Sequence, residues 1–144
     1  MKKFVKVLLA IVAILVIVMF AIGKKYHFET STVINAPAEK VWKNMSSMKA
    51  FNQWNPFMDF DPNVKVVYSG NSGQVGEKML FEKPFESDAT SDLILIPEGN
   101  ATKVTWTMDC ELDYPMNLMK FFMDGQMEKS YGSGLKKLKG FVEK

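Results

Sequence analysis

Residues Val7 to Ile22 form an unbroken run of 16 apolar side chains, bounded by Lys2, Lys3 and Lys6 on one side and by Lys24 and Lys25 on the other. As a helix, the 20 residues from Phe4 to Gly23 extend roughly 30 Å at about 1.5 Å per residue, the thickness of a bilayer's hydrocarbon core. Two readings share this pattern, a retained single-pass span and a cleaved signal peptide, for which Ala21-Ile22-Gly23 offers small residues at a cleavage point. The run exceeds the roughly 7 to 15 residues of a usual signal core and lysines follow it at once, which favours the span. Three lysines and the α-amine precede the run against two lysines after it, a bias toward a cell-membrane protein whose following domain is extracytoplasmic. The chain therefore divides into an anchor, residues 1–25, and a domain, residues 26–144.

Separating the anchor changes the charge of the remainder. Residues 26–144 hold 13 lysines against 16 acidic residues, a formal charge of −3, so the basic character of the whole chain belongs to its first residues. The sequence contains no arginine. Without its planar bidentate fork, the usual means of gripping phosphate or guanine is missing, and no nucleic-acid partner is expected. A single cysteine, Cys110, excludes an intramolecular disulfide, so the domain depends on its packed core.

The soluble part suits one α+β domain. Residues 26–34 are β-branched and aromatic and lead into Asn35-Ala36-Pro37, with proline suited to open a helix. From Ala38, Val41, Trp42, Met45 and Met48 recur at helical spacing, and a further turn over residues 49–52 carries Phe51 and Trp54 inward. Strands are expected over residues 64–69, 75–83 and 87–96. The plainest strand follows the Pro97-Glu98-Gly99-Asn100 turn, where Val104, Trp106, Met108, Cys110 and Leu112 alternate with polar residues. From Pro115 onward, Met119, Met123, Met127, Tyr131, Leu135, Leu138 and Val142 trace one helical stripe, with a kink expected near Gly125 or Gly132.

The stretch INAPAEKVWKNM (34–45), Trp54-Asn55-Pro56-Phe57, KPFES (83–87), GNATKVTWTM (99–108), YPMNLMKFFMD (114–124) and GLKKLKGFVE (134–143) resemble corresponding segments of the SRPBCC or START-like (Bet v 1-like) superfamily. Within it, the likeness is to the membrane-anchored type labelled polyketide cyclase/dehydrase. The resemblance implies a helix-grip fold, in which an antiparallel sheet wraps on a long C-terminal helix. It also implies a missing hairpin: the family's segments like Val75-Gly76-Glu77-Lys78 and Phe81-Glu82-Lys83-Pro84-Phe85 stand well apart, and here they are nearly fused. Deleting two adjacent strands preserves every later strand's direction, so the expected sheet shrinks from roughly seven strands to about five. Its exposed edges would favour self-association.

The residues give little catalytic chemistry. His27 stands alone, Asp88 and Asp92 share a strand face that reads as solvated, and one His and one Cys cannot compose a usual zinc site. No catalytic residue, no metal ligand and no cofactor is expected. The 11 methionines are more informative, because flexible, polarizable side chains suit variable apolar ligands. With the resemblance, they imply a pocket for a lipid or other hydrophobic small molecule, lined by Trp42, Phe81, Leu93, Trp106, Met108, Met119, Met123 and Met127. The shortened sheet would bring it to or below the low end of the roughly 300 to 1,000 Å³ of ordinary ligand pockets. A non-catalytic binding module leads; a cyclase/dehydrase-type enzyme and a protein-interaction module are the alternatives.

Overall fold

The computed structural model describes residues 2–59, 65–74, 77–81 and 89–144, with the backbone alone for residues 79–81. Helix α1 (Lys2–Ala21) is the apolar segment, long and apolar enough to cross a membrane, a test that a signal sequence also passes. It ends at Gly23, whose φ of +64° lies in the left-handed region that glycine adopts without a Cβ penalty. The chain turns there straight into β1 (Lys25–Ile34).

Strand β1 pairs antiparallel with β5 (Ala101–Glu111) from Lys25 opposite Glu111 to Ile34 opposite Thr102. The other edge of β5 pairs with β4 (Thr90–Glu98), which places Leu93 opposite Trp106 and Ser91 opposite Met108. Residues directly opposite share a face. One face therefore collects Tyr26, Phe28, Ile34, Val104, Trp106, Met108, Leu93 and Leu95, the alternation expected of β5. Helix α4 (Lys120–Val142) covers this face as one continuous helical segment that runs through Gly125, Gly132 and Gly134. Gly134 is required by close approach, since a Cβ there would stand 2.7 Å from Trp106 Cζ3 and 2.9 Å from Pro56 Cδ.

The sheet differs from expectation. It has three strands, in the order β1-β5-β4, whereas β2 (Val66–Ser69) and β3 (Lys78–Phe81) pair only with each other among the described residues. A strand of four residues uses its hydrogen-bonding groups on its hairpin partner and offers a short free edge to any third strand. Among the described residues β2–β3 is therefore a separate two-stranded ribbon rather than part of one five-stranded sheet.

Two short helices, α2 (Ala38–Lys43) and α3 (Met48–Asn52), close one end of the molecule with the 3-10 turn Pro56–Asp59. Ser47 caps α3, its Oγ accepting from Ala50 N at 3.1 Å. Val41, Trp54 and Pro56 are fully buried here together with Ile34, Val104, Leu135, Leu138 and Val142. This is the dry end of the core. It lies opposite to α1, because β1 and α4 both run away from the α1 end while β5 runs back toward it.

Candidate functional site

A row of polar contacts fixes how α4 lies. Tyr26 Oη donates to Asp124 Oδ1 at 2.8 Å, Thr30 Oγ1 to Glu128 Oε1 at 3.3 Å, Lys139 Nζ to the Val33 carbonyl at 2.8 Å, and Asn35 N to Glu143 Oε1 at 2.7 Å. These bonds hold α4 along β1, the edge strand, so that the helix packs chiefly there and only reaches over to β5. The adjoining stripe, Met123, Met127 and Tyr131, is thereby turned toward β5 and β4. Among the described residues no helix covers the first half of β4: Ser91 is exposed, and Leu93 is half-buried.

The result is a strip of half-covered apolar side chains between α4 and β4, over the inner face of β5. Met123, Met127, Leu93 and Cys110 make it up, each partly buried against the core, with Met108 beneath them. An aromatic wall stops it toward the dry end. Trp106 stands in that wall, only 2% exposed, with ring centroids 4.4 Å from Tyr131, 5.4 Å from Trp54 and 5.7 Å from Phe51. Phe57 closes the cluster 5.6 Å from Tyr131.

Among the described residues, the polar groups that bond at this wall are uncharged. Trp106 Nε1 donates to Ser91 Oγ at 2.6 Å, and Ser91 Oγ donates to the Thr107 carbonyl at 2.9 Å. Burial pushes the Tyr131 phenol above its ordinary pKa, which a hydrogen bond with Ser91 partly opposes. Burial likewise raises the Cys110 thiol. Such a site offers hydrogen bonds and apolar surface to a neutral ligand group, without an ion to balance. Among the described residues no three His, Cys, Asp or Glu side chains converge as metal ligands would.

The residues expected to line a pocket divide accordingly. Leu93, Trp106, Met108, Met123 and Met127 come together; Met119 stands at the α1 end, 48% exposed, just before α4 begins. Trp42 does not face the strip. It is 57% exposed on the outside of α2, because α2 buries Val41 and the next residue, about 100° around a helix, points away. There Trp42 lines an open cleft of about 520 Å³ with Pro37, Glu39, Lys40, Lys43 and Ser46. The Phe81 side chain and Asp88 lie outside the described residues. His27 faces outward on the sheet, its Nδ1 2.8 Å from Asp109 Oδ1 in an exposed pair. Ser91 was not singled out by sequence; a serine in a strand carries no signal until its register against Trp106 is known.

No protein-family model and no curated protein matches the chain. Solved structures do. A protein of Thermus thermophilus, TTHA0849, superimposes with a TM-score of 0.56 at 18% identity, over 81% of this chain and 97% of that one. Ara h 8.0201, a Bet v 1-like allergen, gives 0.53 at 14% identity over 82% and 97%, and a Thermobifida fusca protein solved by NMR gives 0.51 at 17% over 81% and 95%. At these identities the likeness shows the fold alone: an α+β arrangement of antiparallel sheet and long C-terminal helix similar to the helix-grip fold of these proteins, preceded here by a long apolar helix.

Proposed function

We propose that the chain is a non-catalytic binding module for a lipid or other hydrophobic small molecule, held on the apolar strip between α4 and β4 and anchored in a membrane by α1. The observation that supports this reading is the burial gradient along the helical stripe: Leu135, Leu138 and Val142 are fully buried, Met127 and Met123 are half-buried, and Met119, nearest α1, is exposed. A stripe of adaptable apolar side chains left half-covered along one sheet edge is a surface that an apolar ligand completes. An enzyme of the cyclase/dehydrase type needs an ionisable group aimed at its substrate. The polar groups that the described residues turn toward the strip are instead a hydroxyl, a phenol held protonated by burial, and an indole N–H already bonded.

Retention of α1 as an anchor, rather than its removal as a signal peptide, is part of the proposal. It is supported by the way the folded domain holds the helix end, since Asn117 and Lys120 bond to its last carbonyls. The lysine bias favours an extracytoplasmic domain as part of the same proposal.

Native mass spectrometry of the full chain, extracted from its own membranes in mild detergent, tests both statements. The expected result is an intact N-terminus and a discrete non-covalent adduct that an apolar fluorescent dye displaces saturably. A bare chain that binds no dye would move the reading to a protein-interaction module, and a mature form beginning near Lys24 would remove the anchor.

A further inference from the structure

The segment from the end of β5 into the first turn of α4 is apolar and exposed where a soluble protein would place polar residues. Met116 is 52% exposed, Met119 48%, Phe121 65% and Phe122 81%, with Tyr114 beside them at 38%. These five occupy nine residues, 114–122, which the fold binds directly to the end of α1. Asn117, itself fully buried, donates through Nδ2 to the carbonyls of Met19 at 2.7 Å and Gly23 at 2.8 Å. Lys120 Nζ reaches the carbonyls of Ile22 at 3.3 Å and Gly23 at 3.0 Å, and also that of Lys25. Phe20 of α1 and Tyr114 pack with centroids 4.9 Å apart and planes tilted by 53°, and Lys24 pairs with Asp113 at 2.6 Å.

A helix's final carbonyls lack internal partners and carry the negative end of its dipole, so an amide and an ammonium make a firm cap. The cap holds residues 114–122 at the level where α1 leaves the hydrocarbon. Resting on the reading of α1 as a membrane span, we infer that Tyr114, Met116, Met119, Phe121 and Phe122 dock onto the lipid of the same bilayer, on the side of the domain. The occupant follows from continuity: the patch extends the apolar surface of α1 at its boundary. Aromatic rings at that depth are the usual interfacial anchors. Docking sets the open end of the strip, at Met119 and Met123, against the bilayer. The ligand class that this geometry admits is an amphiphile resident in the membrane, passing between leaflet and strip without crossing water.

Site-directed spin labelling of the full chain in phosphatidylcholine/phosphatidylglycerol vesicles tests this. Nitroxides are placed singly by Val12→Cys, Phe122→Cys and Asn100→Cys in a Cys110→Ala background. If that background does not fold, Cys110→Ser replaces it. The expected order of relative accessibility to oxygen over a water-soluble nickel complex is position 12 deepest, 122 at headgroup to upper-acyl depth, and 100, in the β4–β5 turn, in water. A label at 122 that reads as water-exposed while 12 is deep overturns the docking and leaves the span intact. A label at 12 outside the bilayer overturns the span and the docking with it. Concentration-dependent dipolar broadening between labels at 122, in place of lipid contact, assigns the patch to a second copy of the chain and likewise overturns the proposal.

Discussion

Trp106 and Tyr131 meet with ring centroids 4.4 Å apart and planes at 52°, the indole rising from β5 and the phenol descending from α4. Their contact is where the two ends of the core part company. On one side lie Trp54, Leu135 and Val104, fully buried; on the other lie Met123, Met127 and Leu93, half-covered. The pair thus serves as both the last layer of the dry core and the wall that ends the strip.

Removing that layer should be costly. Trp106→Ala deletes a buried ring that touches Trp54, Phe51, Phe57 and Tyr131 and leaves Ser91 Oγ without its donor. A loss of about 3 to 5 kcal/mol is expected, read as a lowered urea midpoint. A near-neutral change would mean that the inward face of β5 has been misassigned.

Two glycines on α4 should respond in opposite directions. At Gly134 a methyl group meets Trp106 and Pro56 inside van der Waals contact, so Gly134→Ala should cost about 1 to 3 kcal/mol by overpacking. At Gly140 nothing lies within 4 Å of the added carbon, and Gly140→Ala should gain up to about 1 kcal/mol from helix propensity. Thermal unfolding of the two variants beside the parent checks the pair; the same sign for both would contradict the packing at Gly134.

Stability should fall in alkali. The phenols of Tyr26 and Tyr131 and the Cys110 thiol are all raised above their ordinary values of 10.0, 10.0 and 9.0, chiefly by burial, and Tyr26 further by its bond to Asp124. Each group stays neutral in the folded state where the unfolded chain already ionises. Their contribution is therefore complete below about pH 9 and is lost as pH climbs through the folded-state values. Urea midpoints measured from pH 7 to pH 11 should decline above pH 9, and Tyr26→Phe should flatten part of that decline. A midpoint constant to pH 11 would show that these groups are already open to solvent.

The strip can be probed without disturbing the core. Met127 is half-exposed, so Met127→Lys can lay its stem along the apolar wall, at little cost to stability, while its ammonium opposes an apolar ligand. Dye affinity should fall by about tenfold, equivalent to about 1.4 kcal/mol. Gln126→Lys, on the exposed face of α4, should leave it unchanged. Equal affinities would place the ligand elsewhere, and the cleft beside Trp42 would become the next candidate.

Periodicity made the strands and the final helix legible. The alternation through Val104, Trp106, Met108 and Cys110 is obeyed in β5, and the stripe from Met123 to Val142 is the buried side of α4. What periodicity does not carry is lateral position. Trp42 and Val41 are both apolar and adjacent on a six-residue helix; which of them is buried depends on where α2 meets β4 and β5, a tertiary fact. The extent of the sheet was hidden for the same reason, since alternation sets the faces of a strand and not whether β3 bonds to β4. The end of α1 was legible as a boundary, but its partners were not: Asn117 and Lys120 lie roughly a hundred residues downstream, beyond any local pattern.

That long-range cap yields the sharpest prediction about the junction. The peptide bonds after Lys24 and Lys25 are chemically ideal for trypsin, yet Leu112 N bonds the Lys24 carbonyl at 2.9 Å and Lys120 Nζ bonds that of Lys25. The backbone there is held as the first residues of β1 rather than as a linker, and cleavage needs it locally unfolded. The parent chain should therefore resist limited trypsin at this site. Asn117→Ala, which strips the bonds to Met19 and Gly23, and Lys120→Met, which removes those to Ile22, Gly23 and Lys25, should each speed release of residues 26–144 severalfold, read by intact-mass spectrometry over a time course. Lys136→Met, toward the far end of α4 and exposed, should change nothing. Cutting at the parent's junction as fast as in the two variants would mean that α1 and the domain are joined by a free linker and that the cap does not hold them.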